Sequence, residues 1–247
     1  MRTAFSCLLA LAVSSAPATA HAGRTFYGWL YGTEVLPERG VELINTIDEE
    51  NNREPGNIKW TTWGFAAEVG VTDKLSIAFP MDFLWRDNDA SDPSFTFHQF
   101  GVEARYRFVS QDPVDAPPFA PLLRVGVKRD ILARDTTVAE ADLVASTTTE
   151  SGSVHALVDL GFVGNIGRDE RHFELRPGVG VSFKIAGDFR LGVEGYAELS
   201  LDDKKKSWAV AGPNLAWTQG RFWVSAAFGI GVYQIETAPR VVWGIMF

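Results

Sequence analysis

The chain has a single cysteine, Cys7, near its start. This excludes a disulfide framework and a thiolate zinc site. Histidine is scarce as well. Beyond His21 only His98, His155 and His172 occur, with no His-x-x-His or His-Glu-x-x-His spacing, so no metal site is expected. Past the N-terminus there is no apolar run of about 18 residues, which removes the transmembrane helix from consideration. A basic excess is also missing. Lys and Arg total 23 against 31 Asp and Glu, a net charge of −8, which argues against a nucleic-acid partner. The glycines form no Gly-x-Gly-x-x-Gly unit, so no nucleotide cofactor is expected, nor any other.

What is present begins with an export pattern. Arg2 supplies a positive start, Ala4 to Val13 a short apolar stretch, and Ala18-Thr19-Ala20 and Ala20-His21-Ala22 two small-residue cleavage sites. The reading is a signal peptide over 1–22, an N-terminal segment over 23–39, and one β domain over 40–247.

Beyond Gly40 almost every segment alternates with period two. Leu75, Ile77, Phe79, Met81, Phe83 and Trp85 form one face; Ser76, Ala78, Pro80 and Asp82 lie on the other. Phe173, Leu175, Val179, Val181, Phe183 and Ile185 repeat the pattern against Glu174, Arg176, Gly178, Gly180 and Lys184. Apolar-out, polar-in strands of about 9–11 residues describe an all-β, transmembrane antiparallel barrel. Twelve strands are expected, at about 40–48, 59–70, 75–86, 95–108, 119–131, 138–146, 153–164, 172–185, 189–200, 208–217, 222–231 and 240–247. The even count fits a bacterial outer-membrane barrel and puts Thr72-Asp73-Lys74, Ala186-Gly187-Asp188 and Thr218-Gln219-Gly220-Arg221 on the short-turn, periplasmic side. The Pro-rich stretch 109–118 is long for such a turn. The sixth strand has a faint apolar signal and is retained because parity requires it.

The C-terminus alternates Val241, Trp243, Ile245 and Phe247 outward. It resembles the signature by which Gram-negative barrels are handed to the outer-membrane assembly machinery. Thr33-Glu34-Val35-Leu36-Pro37, Val71-Thr72-Asp73, Leu191-Gly192-Val193-Glu194 and Gly212-Pro213-Asn214-Leu215 resemble a family of uncharacterised proteobacterial outer-membrane barrels. That resemblance implies an architecture and carries no biochemical activity.

If the apolar face meets lipid, the other face lines the lumen. The expected lumen-lining residues are Glu68, Asp82, Glu103, Arg105, Arg107, Arg124, Lys128, Glu140, Asp142, His155, Asp159, Glu174, Arg176, Arg190, Glu194 and Glu198, with Glu42, Asp130, Lys184 and Arg240 among the remaining charges. Similar numbers of both signs favour a neutralised network, and inward glycines leave room beside it. A three-residue turn at 186–188 would place Arg176 opposite Glu198 and Lys184 opposite Arg190. Ser153, His155 and Asp159 share one face of the seventh strand, but residues two apart on a strand lie about 6–7 Å apart, too far for direct proton transfer. Catalysis is therefore not expected. The leading function is a non-enzymatic, porin-like membrane protein, a narrow channel for small polar solutes; the alternatives are a filled barrel with a structural role and a membrane hydrolase. Lipids, lipopolysaccharide and the assembly machinery are the expected partners. Phe26, Tyr27, Trp29, Leu30 and Tyr31 are too apolar for a solvated tail. They belong either in the lumen, as a plug, or at the membrane interface.

Overall fold

A computed structural model describes residues 25–54, 57–87, 94–112, 117–133, 135–168 and 170–247. The expected signal segment 1–22 lies outside the described residues. Twelve strands follow in order: β1 Val41–Arg53, β2 Ile58–Thr72, β3 Leu75–Arg86, β4 Ser94–Arg107, β5 Phe119–Asp130 and β6 Thr137–Thr148; then β7 Val154–Ile166, β8 Arg171–Ala186, β9 Phe189–Ser200, β10 Trp208–Gln219, β11 Phe222–Tyr233 and β12 Thr237–Met246. Each pairs antiparallel with its sequence neighbours, and β1 pairs with β12 to close the barrel. Closure satisfies the edge groups that an open sheet would leave exposed, a requirement inside hydrocarbon. Leu43 opposes Ile245 and Ile47 opposes Val241 across the seam.

The exterior is apolar. Phe79, Trp85, Val179, Val193 and Ile230 are each more than half exposed. In water such a surface would cost about 25 cal/mol per Å², whereas lipid removes that cost. Aromatic contacts gather near both rims. Trp63, Phe83, Phe95 and Phe97 pack towards one end, and Tyr106 with Phe108 and Trp217 with Phe222 towards the other. Two such girdles bracket the band that membrane barrels present to lipid.

The two ends differ. At the turn end, β2–β3, β8–β9 and β10–β11 are joined by two residues each, and Gly187 (φ 54°) and Gly220 (φ 58°) take the positive φ that tight hairpins require. Both the start of β1 and the end of β12 lie there. The longer β4–β5 and β6–β7 connections lie at the turn end too; the loop end carries the remaining six, and among the described residues β9–β10 includes a 3₁₀ turn at Lys204–Lys206.

Several local details depart from the sequence reading. Strand β1 runs on to Arg53 and β12 begins at Thr237, because both extend into the loop end beyond their apolar stretches. The β8–β9 register is the expected one, with Glu174 opposite Ser200 and Lys184 opposite Arg190. The turn itself is tighter than three residues. A bulge between Lys184 and Ala186 lets Ala186 pair with Phe189, leaving Gly187-Asp188 as the turn.

Candidate functional site: the lumen and its inserted loop

Strand register builds the inner wall. Arg124 on β5 opposes Asp142 on β6, while Gly126 lies between Glu103 and Glu140 on the flanking strands. With no side chain at Gly126, both carboxylates reach Arg124. Its guanidinium lies 2.6 Å from Glu103, 2.5 Å from Glu140 and 2.5 Å from Asp142. Arg105 continues the network to Glu103 (2.7 Å) and Glu68 (3.1 Å), and Lys128 joins Glu140 to Asp82 at 3.3 Å each. A second network crosses the lumen nearer the loop end. Arg176 on β8 contacts Glu174 (2.9 Å) and Glu198 (3.3 Å), and Arg53 on β1 reaches Glu50 (2.7 Å) and Glu198 (3.9 Å). Buried charges persist only when paired in this way.

Residues 25–36 sit inside the closed wall. The segment enters at the turn end, rises, and returns to the same end before β1. Tyr27 is fully buried, its hydroxyl 3.0 Å from both Nδ1 and the carbonyl oxygen of His155. The amides of Gly28 and Trp29 donate to Glu194 at 2.9 and 3.3 Å. Trp29 reaches furthest: its ring stacks on Tyr196 (5.1 Å), meets Trp208 edge-on (5.6 Å), and donates Nε1–H to the Ala238 carbonyl (3.1 Å). On the descending limb the Tyr31 amide donates to Asp159 (3.1 Å) and its ring lies under Arg124 (4.0 Å). Thr33 shares a 2.6 Å hydrogen bond with Ser146, and Arg107 donates to its carbonyl at 2.9 Å.

Two features make room for and hold this loop. At Gly178 an added Cβ would lie 2.2 Å from Leu30, and at Gly180 2.4 Å from Tyr27, so these glycines form its socket. The long β4–β5 connection supplies Gln111, whose amide donates to the Val35 carbonyl (2.8 Å) and accepts from its N–H (3.3 Å). The turn that is too long by periplasmic standards is thus the one that clasps the loop. Ordering these residues costs about 1–2 kcal/mol each in backbone entropy. Burial of Tyr27, Trp29, Leu30, Val35 and Leu36, at about 1.5–3 kcal/mol per large side chain, opposes that cost.

Above the loop a polar cavity of about 630 Å³ remains, running from Trp29 and Tyr31 to Arg53, Arg86 and Lys206 at the loop end. Asp48, Glu50, Arg53, Trp60, Arg86 and Tyr196 line it and are absent from the sequence-derived set. Alternation from Glu42 and Asp82 would have found Asp48, Glu50 and Arg86; the underestimated length of β1 hid the residues past Asp48.

Two expectations need correction. Lys184 is exposed beside Asp188 (3.9 Å) at the rim, while Arg190 turns away to Ser182 and the Gly152 carbonyl, at 3.1 Å each. The facing like charges therefore part, Lys184 beside the Asp188 carboxylate and Arg190 on neutral acceptors. Ser153 does not join His155 on an inner face. It precedes β7 in the turn, its hydroxyl 2.7 Å from Ser151. His155 instead holds Tyr27, and Asp159 holds Tyr31, so the residues of a hydrolytic triad are not assembled. His98 lies by Asp130 (3.6 Å), and His172 between Glu174 (3.2 Å) and Asp202 (2.9 Å). No group of three or more metal-ligating side chains is placed to hold a metal among the described residues.

A closed twelve-strand antiparallel barrel with an apolar exterior, two aromatic girdles and a charged, partly filled lumen defines the class: an outer-membrane β-barrel. No protein-family model matches the chain, and no curated protein matches it in sequence. The family resemblance read from short motifs thus goes no further than the barrel class. Among solved structures the fold is similar to that of an outer-membrane channel from Pseudomonas putida, with TM-score 0.58 and 10% identity over 87% of this chain and 98% of that one. It is similar to the NanC porin, with TM-score 0.56 and 10% identity over 83% and 98%. The β domain of the Bordetella autotransporter BrkA gives TM-score 0.58 and 11% identity over 85% and 100%. At these identities the likeness is one of fold.

Proposed function

We propose that this protein is a non-enzymatic outer-membrane channel for small polar solutes, with residues 25–36 as an internal plug that narrows the turn-end half of the lumen. The observation that carries the reading is the division of the lumen. A polar cavity remains at the loop end, and the loop fills the space below it through hydrogen bonds to wall side chains. Similarity of fold to a channel and a porin supports it. Liposome swelling tests it. Vesicles carrying the protein should admit solutes of monosaccharide size and exclude larger ones, in a graded series. Equal rates with and without protein would remove the channel.

A filled barrel with a structural role is the second reading, favoured by the complete burial of Tyr27, Val35 and Leu36. It predicts no swelling by the intact protein. Assembly belongs to the same proposal. Phe247 is 62% exposed on the lipid side and its amide donates to the Val41 carbonyl (2.8 Å), so it ends the closing strand at the seam. Deleting it should leave protein in the periplasm; normal heat-modifiable migration of the deletion would contradict a role in assembly.

A further inference from the structure

The cavity at the loop end carries an imbalance that a tally of its charges conceals. Its acids are engaged: Glu50 by Arg53, Glu174 and Glu198 by Arg176, Asp82 by Lys128, and Asp130 by His98. Asp48 lies between Thr62 and Arg240 on the flanking strands. Arg86 is different. Among the described residues no carboxylate comes within ion-pair reach of it, and its contact is the face of Trp60, 5.6 Å from guanidinium carbon to ring centre. Arg53 stands over the same ring at 5.8 Å. Trp60 opposes Glu50 on one side and Arg86 on the other, while Arg53, opposite Ile58 past a bulge in β1, reaches over the Trp60 ring, so β1, β2 and β3 bring Arg53, Trp60 and Arg86 together on the wall. Around Trp60 and Arg86 the unmet hydrogen-bonding capacity falls on donors: Trp60 Nε1, Arg86 Nε and Arg240 Nε line the cavity without a hydrogen-bond partner among the described residues, whereas the unmet acceptor, Asp159 Oδ1, lies at the opposite end beside Tyr31.

A guanidinium without a carboxylate partner among the described residues, an indole face and unmet donors call for a ligand with negative charge, a ring and many acceptors. Arginine is suited to carboxylates because its planar fork matches their two oxygens. The volume of about 630 Å³ lies within the range of small-molecule sites, about 300–1,000 Å³. We infer that the Arg53–Trp60–Arg86 wall is a binding site for small ring-bearing carboxylates of sugar-acid type, the carboxylate on Arg86 and the ring against Trp60. This deepens the channel reading by naming its solute class, and rests on it only in taking the cavity as a place solutes reach.

Equilibrium binding to the purified full-length barrel tests it without requiring conduction. The probes are glucuronate, glucose and glucosamine, which share a ring and differ in charge. Glucuronate should bind at least tenfold more tightly than either of the others, and added salt should weaken it. Arg86→Gln should remove most of that preference while heat-modifiable migration stays normal, and Trp60→Leu should weaken all three sugars. Equal binding of glucuronate and glucose, or a preference unchanged by Arg86→Gln and by salt, would overturn the site. Binding without any solute flux would leave the site standing and remove the channel; flux without preferential binding would do the reverse.

Discussion

The two ends of the lumen are built from the same alternating strands yet hold different contents. At the turn end the inward residues are small or grip a loop: Gly178 and Gly180 give space, while Glu194, Asp159, His155 and Ser146 bond its atoms. Towards the loop end the inward residues are long and charged, they pair with one another across strands, and a cavity is left between them. The difference teaches that a barrel wall of one period can either receive a segment or hold solvent-accessible space. Side-chain size at the inward positions decides which.

The boundary between these halves is Arg124, which binds three carboxylates and lies over Tyr31. Arg124→Ala should have the largest effect on stability. It leaves Glu103, Glu140 and Asp142 without their shared cation, and breaking such a buried cluster costs about 3–5 kcal/mol. The temperature at which the barrel loses its compact gel migration should fall well below that of the parent. No change would mean that the cluster is solvated rather than paired.

A smaller effect is expected from filling the socket. The double variant Gly178→Val, Gly180→Val places side chains where Leu30 and Tyr27 lie. Overpacking of this kind costs about 1–3 kcal/mol, and here the loop can relieve it by leaving. Limited proteolysis should then cut within residues 25–36 while the barrel core stays resistant. Protection equal to the parent would show that the wall yields instead of the loop.

Tyr27→Phe is the mildest change. It removes the hydroxyl bonded to His155 and keeps the ring, a loss of about 0.5–1.5 kcal/mol. Hydrogen exchange of the 25–36 amides should speed up several-fold, with the strands unaffected. Exchange that quickens equally across β7 would place the effect in the wall rather than in the loop.

Much of the barrel was legible because period-two alternation has one physical cause, lipid on one side and polar lumen on the other. The β8–β9 register could be read from the shortness of the turn, although the bulge before Ala186 could not, since it depends on backbone geometry that alternation does not encode. Arg124, Glu140 and Asp142 were readable as inward residues. Their convergence required knowing that Gly126 stands between Glu103 and Glu140. The aromatic content of Phe26–Tyr31 showed that this segment must be covered, but lumen and interface are equally apolar destinations for such side chains. What distinguishes them is the socket at Gly178 and Gly180 and the clasp of Gln111, which lie far away in sequence. Ser153 was assigned to a strand face by counting back from Val154; the β6–β7 turn claims it because Thr149, Ser151 and Ser153 bond one another.

The central claim is that residues 25–36 narrow a lumen that would otherwise be wider. Single-channel recording in planar bilayers compares the intact protein with a variant lacking residues 23–36, each first checked for heat-modifiable migration. The account predicts small or brief conductance steps for the intact barrel and sustained steps several-fold larger for the deletion. Equal conductance from both, with the deletion correctly folded, would contradict it.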